Sequence, residues 1–164
     1  MLVREADESD VEHLARLRAS WRGQPLSADF ITEFRAWFGQ EQATRWWWLA
    51  VDADDPIGMV NVKLFGRMPS PGRPPSRWGY VANLYVEPGR RGTGVGGSLV
   101  TAAIDRARQE GLVRLVLSPS EQSIPLYRRH GFRPAHELLL LPLEPETGRR
   151  TAPASRGHQP RPRH

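Results

Sequence analysis

Apolar positions in this chain alternate between helical and strand periods. Leu2-Val3-Arg4 reads as a short extended run, and Asp7-Glu8-Ser9-Asp10 offers the capping side chains and negative charges that suit a helix start. Val11, Leu14, Ala15, Leu17 and Arg18 then recur at helical spacing, predicting a helix to about Trp21 that Gly23-Gln24-Pro25 ends. A second helix is expected from Ser27 or Asp29, with Phe30, Ile31, Phe34, Trp37 and Phe38 on one face and Gly39 as its stop. The next stretch, residues 46–51, is rich in strand formers. Residues 52–56 read as a turn and 57–65 as the returning strand, so the pair forms an antiparallel hairpin. Residues 66–77 hold four prolines and two glycines and form a loop. A central strand follows over 78–86, and a helix over 98–111 turns Leu99, Val100, Ala103, Ile104 and Ala107 inward.

Residues 112–118 read as a buried strand reached through that helix, a crossover that makes it a parallel neighbour of the central strand. Ser120 or Ser123 caps a short helix ending near His130. Phe132 opens a terminal strand region that includes Leu138-Leu139-Leu140-Leu141. The pattern fades beyond Pro142, and no internal repeat is visible. The elements define an α/β (α+β) fold: a mixed, mostly antiparallel central sheet with one parallel pair and helices on both faces.

Composition sharpens this picture in three places. The chain has 164 residues, 39% of them hydrophobic, with six Trp, which suits one domain with a packed core. There is no cysteine, which excludes disulfides, thiolate metal sites and a cysteine acyl-enzyme. His13, His130 and His136 are scattered and suggest no metal site. The formal net charge of +5 and an isoelectric point near 10.6 would suit a nucleic-acid binder, so the placement of the charge matters. Five arginines (149, 150, 156, 161, 163) against Glu146 put +4 of that charge in residues 145–164. A folded domain over 1–144 is thus expected to be nearly neutral, followed by a disordered basic Pro/Arg-rich tail over 145–164, and specific nucleic-acid recognition is not expected. No apolar run approaches a membrane span and the acidic start carries no leader, so a cytoplasmic protein without a membrane partner is expected.

The chemistry concentrates after the central strand, in Val86-Glu87-Pro88-Gly89-Arg90-Arg91-Gly92-Thr93-Gly94-Val95-Gly96-Gly97-Ser98. Glycine permits positive φ and close approach of backbone to a ligand. The first turn of a helix presents unpaired N–H groups and the positive end of the helix dipole. Together they make an anion pocket suited to a pyrophosphate. Gly92-x-Gly94-x-x-Gly97 fits the dinucleotide pattern, but the acidic residue expected at the end of the next strand is missing, where Ser118 and Ser120 stand instead. A P-loop fails because no Gly-Lys-Ser/Thr follows.

Arg91-x-x-Gly94-x-Gly96 matches the R/Q-x-x-G-x-G/A signature of the GNAT acyltransferases. Asn83-Leu84-Tyr85-Val86-x-Pro88 resembles that family's central-strand ending, and Tyr127-Arg128-Arg129-His130-Gly131-Phe132 resembles its Y-x-x-x-G-F. The resemblance extends from about residue 2 to 143 and is specific over 80–132. It implies an acetyl-CoA-dependent N-acetyltransferase acting on a primary amine of a small molecule or peptide by direct attack in a ternary complex, as monomer or homodimer and without a metal. A non-catalytic relative that senses acyl-CoA is the alternative.

The same resemblance implies that the parallel pair splays apart and that backbone groups of Leu84, Tyr85 and Val86 receive the pantetheine, as in strand addition. The N–H groups of Gly92, Thr93, Gly94, Val95, Gly96 and Gly97 would hold the pyrophosphate, and a backbone N–H near Leu84 or Tyr85 would face the developing oxyanion. Arg91 either shapes the loop or touches a phosphate, Arg90 is solvated, and Ser98 either adds a hydroxyl or simply occupies the first helical turn. Ser123 joins the cofactor-binding set. Tyr127 is either the acid that protonates the departing thiolate or a core aromatic. No general base stands out: Asn83 takes the place where some relatives carry glutamate and is left to position a water or the amine, and Glu87 is expected to point to solvent. The first two helices and the loop over 66–77 would face the acceptor, with the six Trp divided between core and pocket.

Overall fold

The computed structural model describes residues 1–143. The domain expected over 1–144 resolves into a unit spanning Met1–Arg133, which holds the whole sheet, and a second beginning at Pro134. The basic tail over 145–164 lies outside the described residues.

Five strands stand in sequence order across one sheet: β1 (Leu2–Glu5), β2 (Arg45–Asp52), β3 (Asp55–Gly66), β4 (Arg77–Val86) and β5 (Leu115–Val116). The first four pair antiparallel and β5 pairs parallel to β4, which is the mixed sheet the apolar pattern predicts. The β2–β3 hairpin closes on Asp52 opposite Asp55, through Ala53 and Asp54 at φ 47° and 65°, the left-handed pair that matches strand twist.

Helices α1 (Val11–Trp21) and α2 (Ala28–Glu41) cover one face. Their Val11, Leu14, Leu17, Phe34 and Phe38 pack with Trp47, Leu49, Met59 and Tyr85 of the sheet. Helix α3 (Val95–Gln109) covers the other, where Val95, Leu99 and Ala103 meet Trp48, Val60, Val62 and Val81. The neighbouring tryptophans of β2 thus enter opposite cores, as strand alternation requires. Asp7 caps the turn ahead of α1, and Arg4 donates to both carboxylate oxygens of the buried Asp10 at 2.6 and 2.7 Å.

Four expectations need correction. Gly39 does not stop α2, which runs on to Glu41 because burial of Phe38 against Trp47 outweighs glycine's weak helix propensity. Helix α3 begins at Val95, ahead of Ser98, with Gly94 at φ 90° forming its cap. The strand expected over 112–118 pairs only at Leu115 and Val116, because β5 then leaves β4. No strand forms over 138–141 among the described residues. The short helix α4 (Ile124–Arg129) follows a 3-10 turn at Glu121–Ser123.

Candidate functional site

Three features meet at the end of β4: a bulge, an opened sheet and a loop of bare amides. Opposite Met59–Asn61, the stretch Ala82–Tyr85 carries one extra residue, and Asn83 absorbs it at φ 55°. A left-handed residue within a strand is tolerated best by glycine, asparagine or aspartate, and the bulge bends the strand. β5 pairs with β4 only at Gly79 and Tyr80, so among the described residues no strand lies beside 81–86 of β4 on that side. Gly79 makes even this approach possible: a Cβ there would lie 2.6 Å from Val62 Cγ1 and 2.8 Å from Leu115 Cδ2.

Past the bulge, Tyr85 stands opposite Met59, and the Glu87 N–H donates to Ile57 O at 2.9 Å. Antiparallel alternation therefore turns the backbone groups of Tyr85 toward β3 and those of Leu84 and Val86 toward the opening. Of the three expected contacts on this strand, Leu84 and Val86 face the gap and Tyr85 does not. One of the open acceptors is engaged, since the Arg91 Nε–H donates to Val86 O at 3.1 Å.

The glycine loop leaves β4 through a 3-10 turn at Pro88–Arg90. Gly92 and Gly94 sit at φ 77° and 90°, and a Cβ on either would have nothing within 4 Å, so they are there for conformation and not for space. Among the described residues, the N–H groups from Gly92 through Gly97 have no protein acceptor, and no side chain caps α3. The polar side chains of the loop bond back to it instead. Thr93 Oγ1 donates to Arg90 O at 2.7 Å and Ser98 Oγ to Gly94 O at 3.3 Å. Arg91 acts likewise, its guanidinium 5.9 Å from the Tyr85 ring. Arg90, expected to be solvated, pairs with Asp52 at 2.8 Å. The loop's side chains thus shape it while its amides and the dipole of α3 face outward.

Helix α4 lies against this turn. A Cβ on Gly96 would stand 3.5 Å from Leu126 Cδ2 and 3.7 Å from Val86 Cγ2, and one on Gly97 would stand 3.5 Å from the His130 ring. Tyr127 is buried in α4, its ring edge-on to Phe132 at 5.6 Å. Burial, and secondarily the neighbouring Tyr80 phenol, raise its pKa above the ordinary value. Its hydroxyl has no hydrogen bond to the described residues. Ser123 Oγ donates to Ser120 O at 2.9 Å and does not cap α4.

On the opposite face of the bulge lies a cleft of about 210 Å³. Phe30, Phe34, Trp37 and Trp47 line it with Met59, and its polar walls are Arg18, Glu33 and Asn83. Trp37 and Trp47 are the tryptophans that reach it; Trp21 instead stacks on Tyr85 at 5.7 Å, and Trp78 on Phe65 at 4.4 Å. The loop over 67–76 does not line this cleft.

Glu87 corrects the sequence reading most directly. It is half-buried, and its Oε2 accepts from Ser20 Oγ and from the Tyr85 hydroxyl, both at 3.1 Å. Ser20 Oγ and the Tyr85 hydroxyl are themselves 3.2 Å apart. Ser20 is distant in sequence, so no local pattern could reveal this triangle; the alternation that sends Tyr85 to the α1 face was the available signal.

The mixed sheet thus opens at a bulge, with bare amides at its mouth and a cleft on the other face. The acetyltransferase (GNAT) family model matches residues 11–132, and the chain belongs to that family. It is 37% identical over 59 residues to glucosamine 6-phosphate N-acetyltransferase of Trypanosoma brucei brucei, a stretch covering 36% of this chain and only 40% of that relative. A predicted acetyltransferase with acetyl-CoA from Clostridium acetobutylicum superposes with TM-score 0.70 at 24% identity, covering 87% of this chain and 96% of that one. A GCN5-related N-acetyltransferase from Ralstonia eutropha JMP134 superposes with TM-score 0.66 at 26% identity, covering 85% and 97%. No helix among the described residues is long and apolar enough to cross a membrane.

Proposed function

We propose that this protein is an acetyl-CoA-dependent N-acetyltransferase that acts on a primary amine by direct attack. The observation that carries this reading is the run of unpaired N–H groups from Gly92 to Gly97 beside an opened sheet. Hydrogen bonds to a charged group contribute about 1.5–3 kcal/mol each in favourable sites. Several converging on a diphosphate, less ordering and desolvation costs, would suffice for a Kd on the order of micromolar. Leu84 and Val86 would pair with the pantetheine amides, and Arg91, Thr93 and Ser98 would hold the loop in shape.

Acetyl-CoA supplies the thioester from which the acetyl group passes to the amine. A carbon–nitrogen bond forms, the carbon–sulfur bond breaks, and the proton lost by nitrogen is balanced by one gained by sulfur. The Leu84 N–H faces the gap and is the better placed of the two backbone donors for the thioester oxygen. The Tyr127 phenol, whose pKa burial raises above its ordinary value, is protonated at neutral pH as any phenol is, and would give that proton to the thiolate. The Glu87 carboxylate, reached through Ser20 and Tyr85, offers a sink for the amine's proton that Asn83 cannot provide. Asn83, in the cleft wall at the bulge, would position the amine.

Thermal denaturation with and without acetyl-CoA, followed by thiol release across a panel of amines, tests the reading. Stabilisation by acetyl-CoA together with amine-dependent thiol release is expected. Stabilisation without release for any amine would favour a protein that binds acyl-CoA without catalysis, and no stabilisation would refute both.

A further inference from the structure

The cleft behind the bulge carries more polar information than an apolar amine needs. Arg18 lies in its wall, half-buried, 4.9 Å from the Trp21 ring and without a carboxylate partner among the described residues. Burial, and then repulsion from Arg22, disfavour its charge, so the site gains from an incoming anion. Glu33, an exposed residue, lines the same cleft, and among the described residues no salt bridge joins it to Arg18. Trp47 is 4% exposed, and its indole N–H is buried without an acceptor. The remaining lining is Asn83, three aromatic rings and the Met59 thioether.

Building on the acyl-transfer reading, we propose that this cleft selects a zwitterionic acceptor: a primary amine bearing one carboxylate and a ring-sized apolar body, the pattern of an apolar α-amino acid. The volume suits such a body, since cavities of about 150 Å³ accommodate benzene. The carboxylate pairs with Arg18. Glu33 at the rim attracts the ammonium form as it enters, and Asn83 receives the nitrogen at the β4 bulge. The apolar body lies between the Phe30, Phe34 and Trp37 rings. The ammonium gives up one proton to solvent to become the neutral amine, which bonds to the acetyl carbon as the carbon–sulfur bond breaks; the second proton lost by nitrogen is matched by one delivered to the released thiolate.

A sugar phosphate fits these walls poorly. A phosphate dianion would meet a single lining guanidinium with a carboxylate on the same cleft, whereas phosphate sites gather several donors. Most of the sugar hydroxyls would face the Phe30, Phe34, Trp37 and Met59 side chains, which offer them no hydrogen bonds.

The test compares phenylalanine, phenethylamine, glycine and glucosamine 6-phosphate at fixed acetyl-CoA by thiol release. The wild type is expected to favour phenylalanine over each of the others by about tenfold or more in kcat/KM, the scale of one charged hydrogen bond. In Arg18→Gln the phenylalanine-to-phenethylamine ratio should fall by about tenfold, with Arg18→Lys recovering part of it. Stabilisation by acetyl-CoA checks that each variant is folded. Equal rates, a preference for glucosamine 6-phosphate, or an equal fall for both aryl amines in Arg18→Gln would overturn the proposal. Phenylalanine binding is read separately from the change in intrinsic tryptophan fluorescence, to which Trp37 and Trp47 of the cleft wall contribute. If no amine is turned over but phenylalanine shifts the wild-type emission and binds Arg18→Gln about tenfold more weakly, the cleft assignment stands and the catalytic reading falls. If phenylalanine is neither bound nor acetylated, the cleft assignment itself falls.

Discussion

At Gly96 the demands of the fold and those of a ligand point in opposite directions. Its φ lies outside the left-handed region, and an added methyl would meet Leu126 at 3.5 Å and Val86 at 3.7 Å, ordinary contact distances. Folding alone therefore has no use for glycine here. Replacing helical glycine by alanine stabilises by roughly 0.5–1 kcal/mol, which in a domain of this size raises Tm by about 1–4 °C. The same methyl, however, would fill the wedge between β4 and α4, beside the amides from Gly92 to Gly97. If acetyl-CoA descends into that wedge, the methyl displaces it, and a tenfold loss of affinity is about 1.4 kcal/mol. Ligand at a hundred times Kd stabilises the wild type by about 2.7 kcal/mol, so at the same concentration the ligand-induced rise should shrink by roughly half.

Gly96→Ala is thus expected to melt higher than wild type when free and to gain less from acetyl-CoA, read by thermal denaturation and by titration calorimetry of Kd. A variant that is stabilised yet binds acetyl-CoA undiminished would show that this wedge is not where the ligand lies. A variant destabilised when free would show that the packing of α4 on α3 is tighter than these distances allow.

Tyr127→Phe should lower kcat by about tenfold or more while leaving acetyl-CoA stabilisation intact. Because burial raises the Tyr127 pKa, its contribution to wild-type stability is complete below about pH 10 and declines as pH rises through the folded value, a loss that alkaline denaturation of the variant should lack. Glu87→Gln should lower kcat by about a hundredfold without changing acetyl-CoA binding, measured by thiol release and calorimetry; an unaltered rate would remove the Ser20–Tyr85–Glu87 route. Asp10→Asn should cost about 1–3 kcal/mol in urea, toward the lower end because Arg4 is 41% exposed. The Arg4 hydrogen bond depresses the Asp10 pKa, so the wild type holds this stability above about pH 4 and loses it as pH falls through the folded value; the variant should show a flatter acid limb. Gly79→Ala, forced against Val62 and Leu115, should cost about 1–3 kcal/mol by overpacking, measured by urea denaturation.

Local periodicity reports which face of an element is apolar, and it is sufficient wherever one face meets one core. The split of Trp47 from Trp46 and Trp48 and the inward row of α3 are both legible on that basis. So is the loop from Gly92 to Gly97, because conformation there is written into residue type: Gly92 and Gly94 both take positive φ. Features set by distant partners are not legible. Gly39 reads as a helix stop until Trp47 is known to lie against Phe38. Glu87 reads as solvated until Ser20 is known to lie beside it, and the cleft draws its walls from α1, α2 and three strands.

Asn83 joins these two kinds of information. Read as one more residue of a strand, it only displaces the glutamate that some relatives carry. Placed at φ 55°, it is the inserted residue that shifts the β3–β4 register and lets the end of β4 turn its Leu84 and Val86 groups away from β3. The pairing with β5 has already ended at Tyr80, so those groups open onto a gap that lies beside the bare amides. Asparagine is among the few residues that hold the left-handed conformation at modest cost, and its amide also lines the cleft on the opposite face. One residue therefore shapes the gap proposed for acetyl-CoA through its backbone and borders the cleft proposed for the amine. Asn83→Gly would keep the first role and lose the second, so it should leave acetyl-CoA binding in place while raising KM for the amine.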